Sequence, residues 1–125
     1  MQTAGRIDID KFRCISDDIT SDEVIITDER IQHIMARHPG SYEKIKPFLP
    51  FALSDPDYIL KDKSPDTALI LKTIKKDSLH FQIVLRLHTS KDIDGLKNSI
   101  ISAWEISTSR WNNYIKNKKI LYKQE

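Results

Sequence analysis

Cysteine is almost absent: Cys14 is the only one in 125 residues. An intramolecular disulfide and a cysteine-built structural zinc site are therefore excluded, and a reducing compartment is the natural expectation. Glycine is nearly as scarce, at three residues beside five prolines, which rules out collagen-like, glycine-linker and proline-rich disordered classes. No apolar run approaches the roughly 20 residues that cross a bilayer. The opening MQTAGRIDID also lacks the cationic-then-apolar order of a secretory signal. The expected location is the cytoplasm, either of the producing cell or of a target cell into which a toxin domain is delivered. An excess of one charge is missing too: 20 basic against 18 acidic residues leave a net +2. A nucleic-acid partner would have to be met by a local cluster of lysine and arginine.

What is present describes one globular domain: 39% hydrophobic and 30% charged residues, with no repeat or linker, at a length that buries one core and not two. Residues 1–26 read as an irregular N-terminal arm with short strands around the acidic SDDITSDE, and residues 27–125 as the main body. Thr27 is a good N-cap, Asp28 and Glu29 suit the positive helix end, and Ile26 with Ile31 has staple spacing. Ile31, Ile34, Met35 and His38 share one helical face; Arg30, His33 and Arg37 form a second stripe beside it. Pro39-Gly40 ends this helix. A second helical stretch from about Ser41 to Leu53 is interrupted by Pro47 and Pro50.

From Tyr58 onward YILKD, TALILKTIK, HFQIVLRLHT and NSIISAWEIS alternate with turn-like segments, the pattern of a four-stranded antiparallel meander. Ser107 is placed to cap a last helix to about Asn117, and KKILY forms a further short strand. The fold class expected is α+β: N-terminal helices packed on a four- to five-stranded antiparallel sheet.

Along the third strand Phe81, Ile83, Leu85 and Leu87 point one way, and Gln82, Val84, Arg86 and His88 the other. Arg86 and His88 would then stand on one face with Cα atoms about 6.6 Å apart. Whether Lys72 joins them depends on the hairpin loop, because a one-residue slip reverses every side chain. A two-residue loop sets Lys72 among core residues, which is costly for a lysine; a three-residue loop, expected on that ground, sets it beside Arg86. Two cations and an imidazole on one rigid surface suit metal-independent RNA cleavage. The imidazole takes the proton of a ribose 2′-hydroxyl, and the cations stabilise charge on the phosphate. On the helix, His33 and His38 lie about 140° apart, so they cannot serve one site together, and no ligand cluster supports a metal. A solvated sheet face and a cationic helix end are the ordinary explanations of the same residues.

Taken in order, TDERIQHIMARHPGSYEKI, SDPDYIL, TALILK, FQIVLRLHTSKD, NSIISAWEIS and YIKNKKILY resemble a family of phage and mobile-element domains of the barnase, EndoU, colicin E5/D and RelE-like nuclease superfamily. The resemblance spans about residues 23 to 123. It implies a helix-plus-sheet domain that cleaves RNA, tRNA among the candidates, often as a toxin or effector, with its active site on the open sheet face. By position it implies His38 or His88 as general base or acid and Lys72 and Arg86 as phosphate clamps. Trp104 or Tyr114 would be the base-stacking platform, with Ser102 and Tyr122 as further candidates. Arg30, His33 and Arg37 are RNA-backbone contacts or plain solvated charge, and the lysines of NKKILYK could track the same backbone. No cofactor and no metal is implied. RNA is the expected substrate, with an immunity protein or antitoxin as a further partner. The competing readings are a non-catalytic module that binds RNA or protein through the same cationic face, and a structural accessory domain of a phage or conjugative protein.

Overall fold

A computed structural model describes residues 1–124 of the chain. The elements run in the order β1 (Gln2–Arg6), α1 (Ile9–Phe12), β2 (Glu23–Ile26), α2 (Asp28–Arg37), α3 (Ser41–Ile45), α4 (Leu49–Ser54), β3 (Tyr58–Lys61), β4 (Thr67–Ile74), β5 (Leu79–Arg86), β6 (Asn98–Glu105), α5 (Thr108–Asn117) and β7 (Ile120–Lys123). The seven strands form one sheet in the spatial order β1-β2-β6-β5-β4-β3-β7. The meander β3 to β6 is antiparallel as expected, and β7 returns beside β3.

The sheet is larger than the four or five strands expected, and it is mixed. β2 pairs with β6 in parallel through Val24↔Asn98 and Ile25↔Ser99, and β1 pairs with β2 antiparallel. The N-terminal arm is thus an edge of the sheet, and Phe12, Val24 and Ile26 are as buried as any strand residue of the meander. Its short apolar pieces, separated by acids, concealed this because each strand spans only four or five residues. Gly5 permits the docking: it sits at φ +147 in a register shift of β1, and a Cβ there would come within 2.9 Å of Pro50 Cα on α4.

The helices follow their caps. Thr27 Oγ1 accepts the Arg30 N–H at 3.2 Å to open α2, and Ser107 Oγ accepts the Arg110 N–H at 3.0 Å to open α5. Pro47 and Pro50 divide the second stretch into α3, a 3₁₀ turn at Lys46–Phe48, and α4. The N-terminal helices cover the inner face, where Ile34, Ile45, Leu53, Ile59, Ile70, Ile83 and Leu85 are fully buried together. On the outer face α5 covers only one part. Trp111, Tyr114 and Ile115 pack there on Leu60, Leu69, Leu71 and Ile106.

A candidate active site on the outer sheet face

The β4–β5 register sorts the polar strand residues. Ile74 pairs with Leu79, so the connection Lys75–Ser78 has four residues, closed by Ser78 at φ 50. Lys72 consequently lies opposite Phe81, on the inner face. This corrects the expectation of a three-residue loop that would have set Lys72 beside Arg86. The cost of burial is offset instead of avoided: Lys72, 3% exposed, donates to the Asp55 carbonyl at 2.6 Å and to Asp57 Oδ1 at 3.1 Å. Its ammonium also lies 3.9 Å from the Phe51 ring centroid. Asp57 Oδ2 in turn accepts the Thr73 N–H at 2.8 Å. Lys72 thus ties the end of α4 to the sheet.

His88 is also committed elsewhere. β5 ends at Arg86, and His88 is buried where the chain leaves the sheet. One ring nitrogen meets the carbonyl of Ile93 at 2.7 Å and the other meets Thr20 Oγ1. A carbonyl only accepts, so Nε2 carries the proton in that bond. The His88 amide donates to Asn98 Oδ1 at 2.8 Å, while Asn98 Nδ2 donates to the carbonyls of Ser21 and Glu23. This network fastens the 89–97 loop to the segment before β2. The expectation that His88 projects next to Arg86 as a free base is therefore corrected.

On the outer face the cross-strand pairs Gln82↔Trp104 and Val84↔Ser102 bring β5 and β6 side chains together, with Arg86 continuing the row opposite Ser99. A bulge in β6 adds Ile101 between the residues facing Leu85 and Val84. Ile101 then lines a cleft of 460 Å³ with Val84, Arg86, Thr67 and the β3–β4 loop residues Asp62, Ser64 and Pro65. Arg86 is 35% exposed; its guanidinium contacts Asp92 Oδ1 at 2.9 Å and the Leu87 carbonyl, with Asp66 at 4.0 Å. Asp92 accepts the Thr89 N–H at 2.8 Å, and this bond first, then the Arg86 charge, holds its carboxyl below the usual range.

His38 reaches this surface from the inner-face helices. Beyond Ser99, β6 has no further pairing with β2, and α2 and α3 run along it. His38 is the corner between them: its N–H donates to the Ile34 carbonyl at 2.8 Å and its own carbonyl accepts from Ser41 at 3.0 Å, across Pro39 and Gly40 at φ +81. The imidazole lies flat on the Trp104 indole, with ring centroids 4.4 Å apart and planes 6° apart. Among the described residues, neither ring nitrogen is bonded to another protein group. Burial, then the charges of Arg37 and His33, push its pKa below the ordinary imidazole value. The neutral form, able to accept a proton, is thereby favoured.

Tyr114 donates from its hydroxyl to Gln82 Oε1 at 3.0 Å, with the Arg110 guanidinium 6.0 Å from its ring. Gln82 is 2% exposed, so Tyr114 is a bond between α5 and the sheet more than a free platform. Arg30, His33 and Arg37 stand in solvent on α2. Three contributors, Asp92, Arg110 and His80, escaped the sequence reading, and Gln82 was placed on this face without a role. His80 Nδ1 lies 2.9 Å from Thr73 Oγ1, and its ring tilts against Trp111 at 5.1 Å. Extending the β5 alternation two residues backward would have found it.

Among the described residues no three His, Cys, Asp or Glu side chains converge to hold a metal ion. No described helix is long and apolar enough to cross a membrane. No curated protein and no solved structure matches the chain. A family match nevertheless extends over residues 1–123, taking in the N-terminal strands as well as the meander. The chain belongs to the family described as phage-Barnase-EndoU-ColicinE5/D-RelE like nuclease 2.

Proposed function

We propose that the chain is a metal-independent endoribonuclease whose site is the uncovered part of the outer face. His38 is the base, Arg86 the phosphate clamp, and Ser102 and Trp104 the floor between them. The observation that carries the reading is the His38–Trp104 stack at 4.4 Å, which sets an unbonded imidazole of lowered pKa at the edge of the face bearing Arg86. In the reaction, His38 takes the proton of a ribose 2′-hydroxyl and the 2′-oxygen attacks phosphorus. The bond to the 5′-oxygen breaks, that oxygen takes a proton from water, and a 2′,3′-cyclic phosphate remains. Arg86 stabilises the charge that grows on the non-bridging oxygens. A toxin or effector role in a target cytoplasm, with an immunity protein or antitoxin as partner, accords with nuclease kinship and is part of the same proposal.

Two observations favour a second reading, a module that binds RNA without cutting it: Arg86 is already engaged by Asp92, and His88 has no free nitrogen. Incubation with total tRNA in EDTA separates the two. Fragments ending in cyclic phosphate, lost in His38→Ala, support the nuclease; intact RNA that shifts on a gel supports the binder.

A further inference from the structure

The positive charge of the chain is unevenly spent. Lys11, Lys44, Lys72, Lys97, Arg6, Arg13 and Arg86 are all held in ion pairs. Among the exposed cations with no carboxylate within ion-pair distance in the described residues, Lys61, Lys63 and Lys119 cluster at one place. These three lysines surround a cleft of 430 Å³ at the end of β3, floored by Cys14, Ile15, Pro65, Thr67 and Leu121. The backbone fixes two of them: the Lys61 N–H donates to the Lys119 carbonyl at 3.2 Å where β3 meets the start of β7. Asp62 and Asp66 also line the cleft. Three ammonium groups thus face two carboxylates, of which Asp66 is shared with Arg86 at 4.0 Å.

This cleft adjoins the candidate active site. Asp62, Ser64, Pro65 and Thr67 line both it and the cleft that contains Arg86, which makes the β3–β4 loop the ridge between them. A strand whose scissile phosphate lies at Arg86 and which crosses that ridge meets Lys61, Lys63 and Lys119 next. Ammonium groups without partners bind a phosphodiester backbone with release of counterions and without base selection.

We propose that the Lys61–Lys63–Lys119 cleft is a backbone subsite for the single-stranded RNA flanking the cut. This rests on the ribonuclease reading for the identity of the ligand, but it can be tested apart from cleavage. The only thiol of the chain, Cys14, lies in the cleft and is exposed, so it reports occupancy. The full chain is treated with a maleimide in the presence and absence of a 2′-O-methyl oligonucleotide of roughly ten nucleotides, which lacks the attacking hydroxyl. The oligonucleotide should slow Cys14 alkylation several-fold. The triple variant Lys61→Ala, Lys63→Ala, Lys119→Ala should lose that protection and bind with a salt slope shallower by about 2, near 0.7 for each phosphate no longer neutralised. His38→Ala should abolish cleavage and keep the protection. Protection without cleavage by the parent chain would refute the ribonuclease reading and support the subsite. Unchanged alkylation of the parent under saturating oligonucleotide, or full affinity and an unchanged salt slope in the triple variant, overturns the subsite.

Discussion

Lys72 and Arg86 are both cations in long strands of the same hairpin, yet the two sheet faces make them different groups. On the inner face Lys72 is enclosed by Asp55, Asp57 and the Phe51 ring. On the outer face Arg86 opens on a cleft and leans on Asp92, a half-buried loop carboxylate that a substrate phosphate could replace. A charge that interrupts an apolar strand thus marks a function only if its partners are exchangeable. The difference can be broken by mutation. Arg86→Ala should lower kcat for RNA cleavage about 10²- to 10³-fold, the range for removing one donor to a developing oxyanion. Its thermal midpoint should fall by less than that of Lys72→Met, since the pair it loses is about a third exposed and Lys72 is enclosed. Normal cleavage by that variant would place the site elsewhere.

Lys72→Met should do the opposite. Asp57 would lose its cation and Asp55 one of two, Lys11 remaining at 3.2 Å, and because both carboxylates are a quarter to a third exposed, the loss is about 2–3 kcal/mol, below the range for fully enclosed pairs. Urea denaturation measures it. Cleavage per folded molecule should stay near the parent's; a cleavage defect without a stability defect would return Lys72 to the chemistry.

These two lysine and arginine assignments mark the limit of what the sequence could reveal. The meander, the Thr27 and Ser107 caps and the Pro39-Gly40 corner were legible because each depends on residues within one turn or one strand of each other. Lys72 was misplaced because its partners lie 15 to 17 residues upstream, beyond the reach of strand periodicity. A partnered lysine also removes the penalty that argued for the three-residue loop. His88 failed for the same kind of reason: Thr20 is 68 residues away, and nothing local announces the bond. The β2–β6 pairing is likewise non-local and parallel. Helical spacing placed His38 on the stripe of Ile31 and Ile34, but its stack on Trp104 depends on β6 losing its β2 neighbour beyond Ser99.

The Trp104 stack supplies a finer test of the outer face. If His38 is the base, kcat/KM rises with pH as the imidazole loses its proton, with a midpoint below the ordinary value of about 6.5. Trp104→Ala uncovers the ring and should move that midpoint upward. The sign carries over to stability. With the folded pKa lowered, the unfolded chain binds more protons between the two pKa values. His38 therefore costs stability as pH falls through about 6.5 toward the lower value, and contributes nothing above it. His38→Gln should remove that slope, which thermal melts across the window would detect.

The smallest effect concerns the shorter of the two ion pairs that make Arg86 look occupied. Asp92 is held ionised mainly by the Thr89 amide and then by Arg86 itself, and it sits in a loop fastened by His88 to Ile93 and Thr20. If Asp92 is only a stand-in for a phosphate, Asp92→Asn should tighten RNA binding a few-fold, by removing a competing anion and a like-charge repulsion, while leaving the loop in place. If Asp92 instead orients the guanidinium for its task, the same variant should bind no better and cut more slowly. Binding and single-turnover cleavage on the one protein distinguish an occupied cation from a positioned one, which is the distinction that separates the outer face from the inner.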